Sequence, residues 1–177
     1  YTILISAAFF LFFTSAKELF LKKFNNVSQT VAHFGFSLLI LSILFNNILS
    51  SEITTNIKVG EKFNHIDGEI FFERIEEQNK SNFNSIIGYF KVTTNKGKVL
   101  ELNPEIRVYN QPITITSEAD IKTTLLEDKF LVMNIVKGNE YFNIRYQVKP
   151  FMLWIWISVL IISLGGLMSL FKRKYEK

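Results

Sequence analysis

The chain has 177 residues, 48% of them apolar, with 20 basic and 16 acidic side chains, two histidines and no cysteine. Its mean hydropathy of +0.19 is only mildly apolar, but the apolar residues are segregated into long uncharged runs. That segregation excludes a soluble enzyme, a disulfide-framed secreted scaffold and a nucleic-acid binder, and marks a piece of a membrane protein.

Residues 1–16 carry no charge. A helix rises about 1.5 Å per residue, so roughly 20 apolar residues cross a hydrocarbon core. The run therefore reads as a transmembrane helix with a truncated start, because the chain opens at Tyr1 and not at methionine. It is not a signal peptide, since its charges follow the apolar stretch. Residues 17–26 form a short loop carrying Lys17, Lys22 and Lys23. Residues 27–49 form a second span, within an uncharged stretch whose only ionisable side chain is His33. Residues 150–171 form a third span without a charge, followed by a tail, 172–177, with Lys172, Arg173, Lys174 and Lys177. The two flanks hold seven basic and two acidic residues, while the region between holds 13 and 14. The positive-inside rule then puts both flanks in the cytoplasm and residues 50–149 on the other side. The pI of about 9.2 comes from those flanks and calls for no nucleic-acid surface.

Residues 50–149 read as β. Asn95, Lys96 and Gly97 suit a tight hairpin between alternating segments at 89–93 and 98–102, and Lys137, Gly138 and Asn139 do the same between 130–136 and 141–148. Further strands are expected at 53–59, 69–75, 106–109, 113–116 and 121–126. Seven to nine short strands in about 100 residues indicate an antiparallel sandwich or barrel. The polar stretch 78–84 is the expected mobile loop. Pro150 is expected to end the last strand and open the following helix at its first position. The fold class is thus an α plus all-β membrane protein, with the β-domain inserted between the last two of three spans.

His33 is the polar residue that a membrane helix would not carry without a reason. It either snorkels to the interface or bonds a neighbouring helix, or it is an axial haem ligand. Helical spacing groups it with Gln29, Thr30, Phe36, Ser37 and Ile40, with Gly35 pointing away. His65 with Asp67 sits at an expected solvated turn, where no nucleophile accompanies it. Ser117, Glu118, Ala119 and Asp120 read as a turn or short helical cap. A zinc site lacks ligands. Gly165 and Gly166 suit close helix packing, and Trp154 and Trp156 an aromatic belt. Arg107 followed by Tyr109 on a strand reads as readily as a structural hydrogen-bonding pair as a functional one, and the role of Glu105 stays open.

Several segments carry a resemblance. Val31-Ala32-His33-Phe34-Gly35 resembles the "LAHxG" helix near the C-terminus of the cytochrome c-type biogenesis family CcmF. Similar in order and spacing are Leu102-Asn103-Pro104-Glu105-Ile106-Arg107-Val108-Tyr109, Ser117-Glu118-Ala119-Asp120-Ile121, and Lys149-Pro150-Phe151-Met152-Leu153-Trp154-Ile155-Trp156 leading to Gly165-Gly166. The resemblance runs over about 31–171 and corresponds to the C-terminal quarter of that family. It implies a haem lyase of the bacterial cytochrome c maturation system, in the inner membrane with a periplasmic domain at 50–149. Such a lyase takes haem from the chaperone CcmE and joins its vinyl groups to the cysteines of an apocytochrome CxxCH motif. CcmH-type and CcmI-type subunits present the apocytochrome c. His33 matches one of two histidines that ligate a permanent haem b. The tryptophan-rich loop, the histidine pair for substrate haem and the second haem b ligand are not in this chain, so it carries no lyase site by itself. The rival reading is a membrane-anchored periplasmic β-domain acting as a non-enzymatic interaction module.

Overall fold

A computed structural model of the chain describes residues 2–21, 27–65, 68–95, 97–136, 138 and 140–175. Lys22, Lys23, Asp67, Lys96, Lys137, Asn139, Glu176 and Lys177, on which parts of the sequence reading rest, lie outside the described residues. The chain divides into two compact units: helices with residues 124–128, and a β unit of residues 51–123 and 129–148.

The helical unit holds α1 (Thr2–Phe20), α2 (Val27–Leu49) and α3 (Met152–Tyr175), each long and apolar enough to cross a membrane. Their serines meet the need for internal hydrogen bonds by donating to carbonyls one turn back: Ser15 to Leu11, Ser42 to Leu38 and Ser158 to Trp154, at 2.6–2.8 Å. Phenylalanines pack α1 on α2, with ring centroids 5.9 Å apart for Phe9 and Phe45 and 5.6 Å for Phe12 and Phe34. Small residues pack α2 on α3. A Cβ added at Gly35 would sit 2.9 Å from Ile161 and Ile162, and one at Gly165 would sit 2.7 Å from the Ala32 nitrogen. Gly166 faces nothing within 4 Å, so only one glycine of the pair serves the contact.

The start of α3 departs from expectation. Pro150 is the last residue of a strand, not the first of the helix. Phe151 makes the turn with φ +59°, a left-handed conformation unusual for a bulky side chain. Three contacts hold it there. Its N–H donates to Leu126 O at 2.7 Å, its carbonyl accepts from the N–H of Trp154 and Ile155, and its ring lies 5.3 Å from Phe45. The Pro150 carbonyl meanwhile accepts from Asn46 Nδ2 at 2.7 Å, which fixes it on the strand side of the turn.

Among the described residues the β unit is an antiparallel sandwich of ten strands. Its sheets are β1 (Ser51–Ile57), β10 (Phe142–Pro150), β9 (Glu127–Ile135) and β8 (Asp120–Thr123) in that order, and β2 (Lys62–His65), β3 (Gly68–Asn79), β4 (Phe83–Thr94), β6 (Glu105–Asn110) and β7 (Ile113–Glu118), with β5 (Val99–Leu102) also on β4. Alternating residues bury a core between them: Ile57, Leu131, Met133, Ile144 and Tyr146 from the first sheet, and Ile70, Phe72, Phe90, Val92 and Ile106 from the second. Phe72 stacks on Phe90 with centroids 4.1 Å apart. Pairing of β1 with β10 sets Ser51 opposite Val148, so the domain's two ends leave from adjacent strands.

The hairpin expected at Asn95 forms between β4 and β5, closed by Thr94 N–H to Lys98 O at 2.9 Å; Gly97, at φ +74°, supplies the left-handed residue it needs. Residues 78–84 are not a loop. Gln78 pairs with Ser85 and Asn79 with Asn84, and Lys80 N–H donates to Phe83 O, so only 80–82 lie outside strands. Their polarity reflects a solvent-facing ladder and not irregular backbone. β2 has a single apolar residue, Phe63, and its composition gave no strand signal.

Candidate functional site

His33 sits in the second turn of α2. Ala32 and Gly35 on the same helix are committed to α3, and that contact turns positions 33 and 36 away from it. His33 and Phe36 are exposed on this other side. They border a cleft of about 230 Å³ whose remaining walls are Leu11, Thr14, Ser15 and Glu18 of α1 and Ser37 of α2. The hydroxyls lining it send their protons back into their own helices: Thr14 to Phe10 O at 2.8 Å, Ser15 to Leu11 O at 2.7 Å and Ser37 to Phe34 O at 2.8 Å. The ionisable groups on the cleft are therefore the His33 imidazole and the Glu18 carboxylate. Glu18 was legible in sequence only as a flanking charge, because nothing in a single sequence says which turn of α1 meets α2.

The other candidates separate from His33. His65 ends β2 opposite Gly68, and its ring is half-buried 5.0 Å from that of Tyr146, so it is not on a solvated turn. The segment 117–120 is neither a turn nor a helical cap. Ser117 and Glu118 close β7 in one sheet and Asp120 opens β8 in the other, with Ala119 between them. Asp120 Oδ2 accepts from the Asn103 N–H at 2.7 Å, which fixes this crossing point between sheets.

Glu105, Arg107 and Tyr109 share the outer face of β6, as their alternation requires. Arg107 Nη2 donates to Glu105 Oε2 at 2.8 Å, its guanidinium lies 5.1 Å from the Phe83 ring centroid, and Phe83 lies 5.3 Å from Tyr109. The Arg107 hydrogen bond holds the Glu105 carboxyl below its ordinary range, and Glu105 in turn raises the guanidinium. The set is an ordered polar and aromatic brace on the sheet. Among the described residues no group of three or more His, Cys, Asp or Glu side chains gathers as a protein-only metal site requires. His33 presents a single imidazole at the cleft.

Residues 48–150 match the family model described as the CcmF C-terminal beta-sandwich. The chain is 28% identical over 146 residues to the cytochrome c-type biogenesis protein CcmF of Pseudomonas fluorescens, covering 82% of this chain and 22% of that protein. It is 27% identical over 154 residues to CcmF of Escherichia coli (strain K12), covering 87% and 24%. Among solved structures it superposes on one titled Cytochrome c Heme Lyase CcmF with a TM-score of 0.62 and 20% identity, over 80% of this chain and 24% of that one. That likeness concerns the fold. The chain spans about a quarter of the length of the curated relatives it matches.

Proposed function

The chain belongs to the CcmF family through its β-sandwich, and from this premise we propose that it is the C-terminal section of a cytochrome c haem lyase. In this reading α1, α2 and α3 cross the bacterial inner membrane, with the basic flanks in the cytoplasm and the β-domain in the periplasm. His33 would hold the iron of a haem b in the membrane through its imidazole, with a further ligand from outside this chain.

The residues fit that role. A porphyrin brings its own nitrogen donors, so one imidazole would suffice as this chain's share of the ligands. His33 lies on the open side of α2 beside Leu11 and Phe36, apolar side chains suited to the face of a macrocycle. When bound, haem b would supply one-electron chemistry. The chain's own contribution is to present an imidazole, to orient α2 through the Ala32 and Gly35 contacts with α3, and to keep the cleft hydroxyls engaged within their helices.

The β-domain docks the partners of covalent haem attachment: the haem chaperone CcmE, the CcmH-type and CcmI-type subunits, and the apocytochrome c itself. The observation that carries the reading is the family match over the whole sandwich together with the open imidazole on the adjoining helix. Cytochrome c maturation in cells carrying His33→Ala in the full-length protein tests it. Loss of covalently bound haem in c-type cytochromes, with normal membrane levels of the variant, is the expected result.

A further inference from the structure

The turn joining β8 to β9 has the sequence Thr124-Leu125-Leu126-Glu127. Turn tips are ordinarily built from Gly, Asn, Asp, Ser or Pro, and here two leucines occupy the tip, 69% and 64% exposed. The turn clusters with the helices and not with the β-sandwich. Two hydrogen bonds hold it to the start of α3. The Trp154 indole N–H donates to Leu125 O at 2.7 Å, and the Phe151 N–H donates to Leu126 O at 2.7 Å.

Part of the tip's backbone is satisfied from within. Thr124 N–H donates to Glu127 O at 2.9 Å, the Thr124 hydroxyl donates to the same carbonyl at 2.8 Å, and Thr124 Oγ1 accepts from the N–H of Glu127 at 3.1 Å. The two leucine carbonyls are taken by Trp154 and Phe151. Backbone polar groups without partners are what bar irregular segments from the apolar side of a membrane interface. This tip has lowered that barrier, with the Leu126 N–H 3.4 Å from Thr124 Oγ1, and left two bare leucines, beside a tryptophan at the first turn of an apolar helix.

We infer that Leu125 and Leu126 form a second membrane contact, a leucine tip that inserts into the lipid interface on the β-domain side of the bilayer. The occupant is lipid, because the tip is hydrogen-bonded to the first residues of α3, and the point where that helix enters the bilayer is at the headgroup boundary. The inference rests on α3 being a membrane span. The tip thereby adds a lipid contact beside the entry of α3 into the bilayer.

The test uses the native absence of cysteine. Leu126→Cys and, separately, Leu125→Cys are introduced into the full chain, labelled with the fluorophore NBD and reconstituted in phosphatidylcholine–phosphatidylglycerol vesicles. Lipids carrying a doxyl quencher near the headgroup should blue-shift nothing further but should quench both labels by about twofold relative to Asn82→Cys on the β3–β4 tip. Leu160→Cys in mid-α3 reports the span itself, through a quencher placed deep in the acyl chain. Quenching at Leu160 without quenching at either leucine overturns the inference and leaves the span standing. A blue-shifted but unquenched label at 125 or 126 puts protein in place of lipid over the tip and also overturns it. Absence of quenching at all three positions refutes the span and the tip together.

Discussion

Gly165 of α3 lies against Ala32 of α2 so closely that a methyl group on Gly165 would approach the Ala32 backbone nitrogen to 2.7 Å. Ala32 immediately precedes His33, so the contact that joins the two helices also sets the rotation of the imidazole about the α2 axis. Gly35 makes the reciprocal approach, against Ile161 and Ile162. Packing of this kind, through small residues, is how apolar helices associate where no hydrophobic force drives them together.

Gly165→Leu should therefore destabilise the helical unit, by about 1–3 kcal/mol on the scale of overpacked cores. Gly166→Leu, one residue on with nothing within 4 Å, should leave it unchanged. Retention of helical signal through an SDS titration in detergent micelles measures both. Equal loss in the two variants would contradict the assigned face of α3.

The β-domain should fold without the helices. Its core draws on both sheets and includes Leu131, Met133, Phe72 and Phe90, all fully buried. Residues 51–149 alone are expected to give a β-type far-UV spectrum and one cooperative urea transition. Leu131→Ala should lower stability by about 2–5 kcal/mol through the cavity it leaves. A disordered spectrum from the isolated segment would contradict the domain's independence.

The Glu105–Arg107 pair predicts an acid limb in that stability. Glu105 has its folded pKa depressed by Arg107, so its contribution is fully present above the unfolded carboxyl value of about 4.3 and is lost as pH falls through the lower, folded value. Arg107→Gln removes the cause. Urea midpoints at pH 7 and pH 3 should fall less between the two pH values in the variant than in the parent. Parallel lines would show that the pair does not couple to folding.

Orientation is checked by the same absence of cysteine that serves the lipid experiment. Asn82→Cys should react with a membrane-impermeant maleimide in intact spheroplasts, as the charge bias of the flanks requires. Reaction only after permeabilisation would reverse the topology.

What was legible in the sequence follows from what each signal depends on. The three apolar helices announce themselves by length and missing charge, and the Asn95–Gly97 hairpin by a turn that needs a left-handed residue, supplied by Gly97. The strand character of 78–84 was hidden because its side chains are polar and alternate no apolar face, although 78–79 pair locally with 84–85 and 83–84 pair with β6. Phe151 was hidden differently: its left-handed turn displaced Pro150 from the helix and depends on a carbonyl 25 residues earlier in the chain, that of Leu126. His33 was visible as a polar residue in an apolar run. Its companions on α1, Glu18 and Leu11, became visible only once the helices were packed.

The most direct measurement is the absorption spectrum of the purified full-length protein carrying His33→Ala or His33→Gln. If the imidazole is an axial ligand, both variants lose the low-spin haem b signature, since glutamine keeps a hydrogen-bonding group but not an iron-binding nitrogen. His65→Ala, in the β-domain against Tyr146, should leave the spectrum intact. An unchanged bis-imidazole spectrum in both His33 variants would contradict the haem assignment.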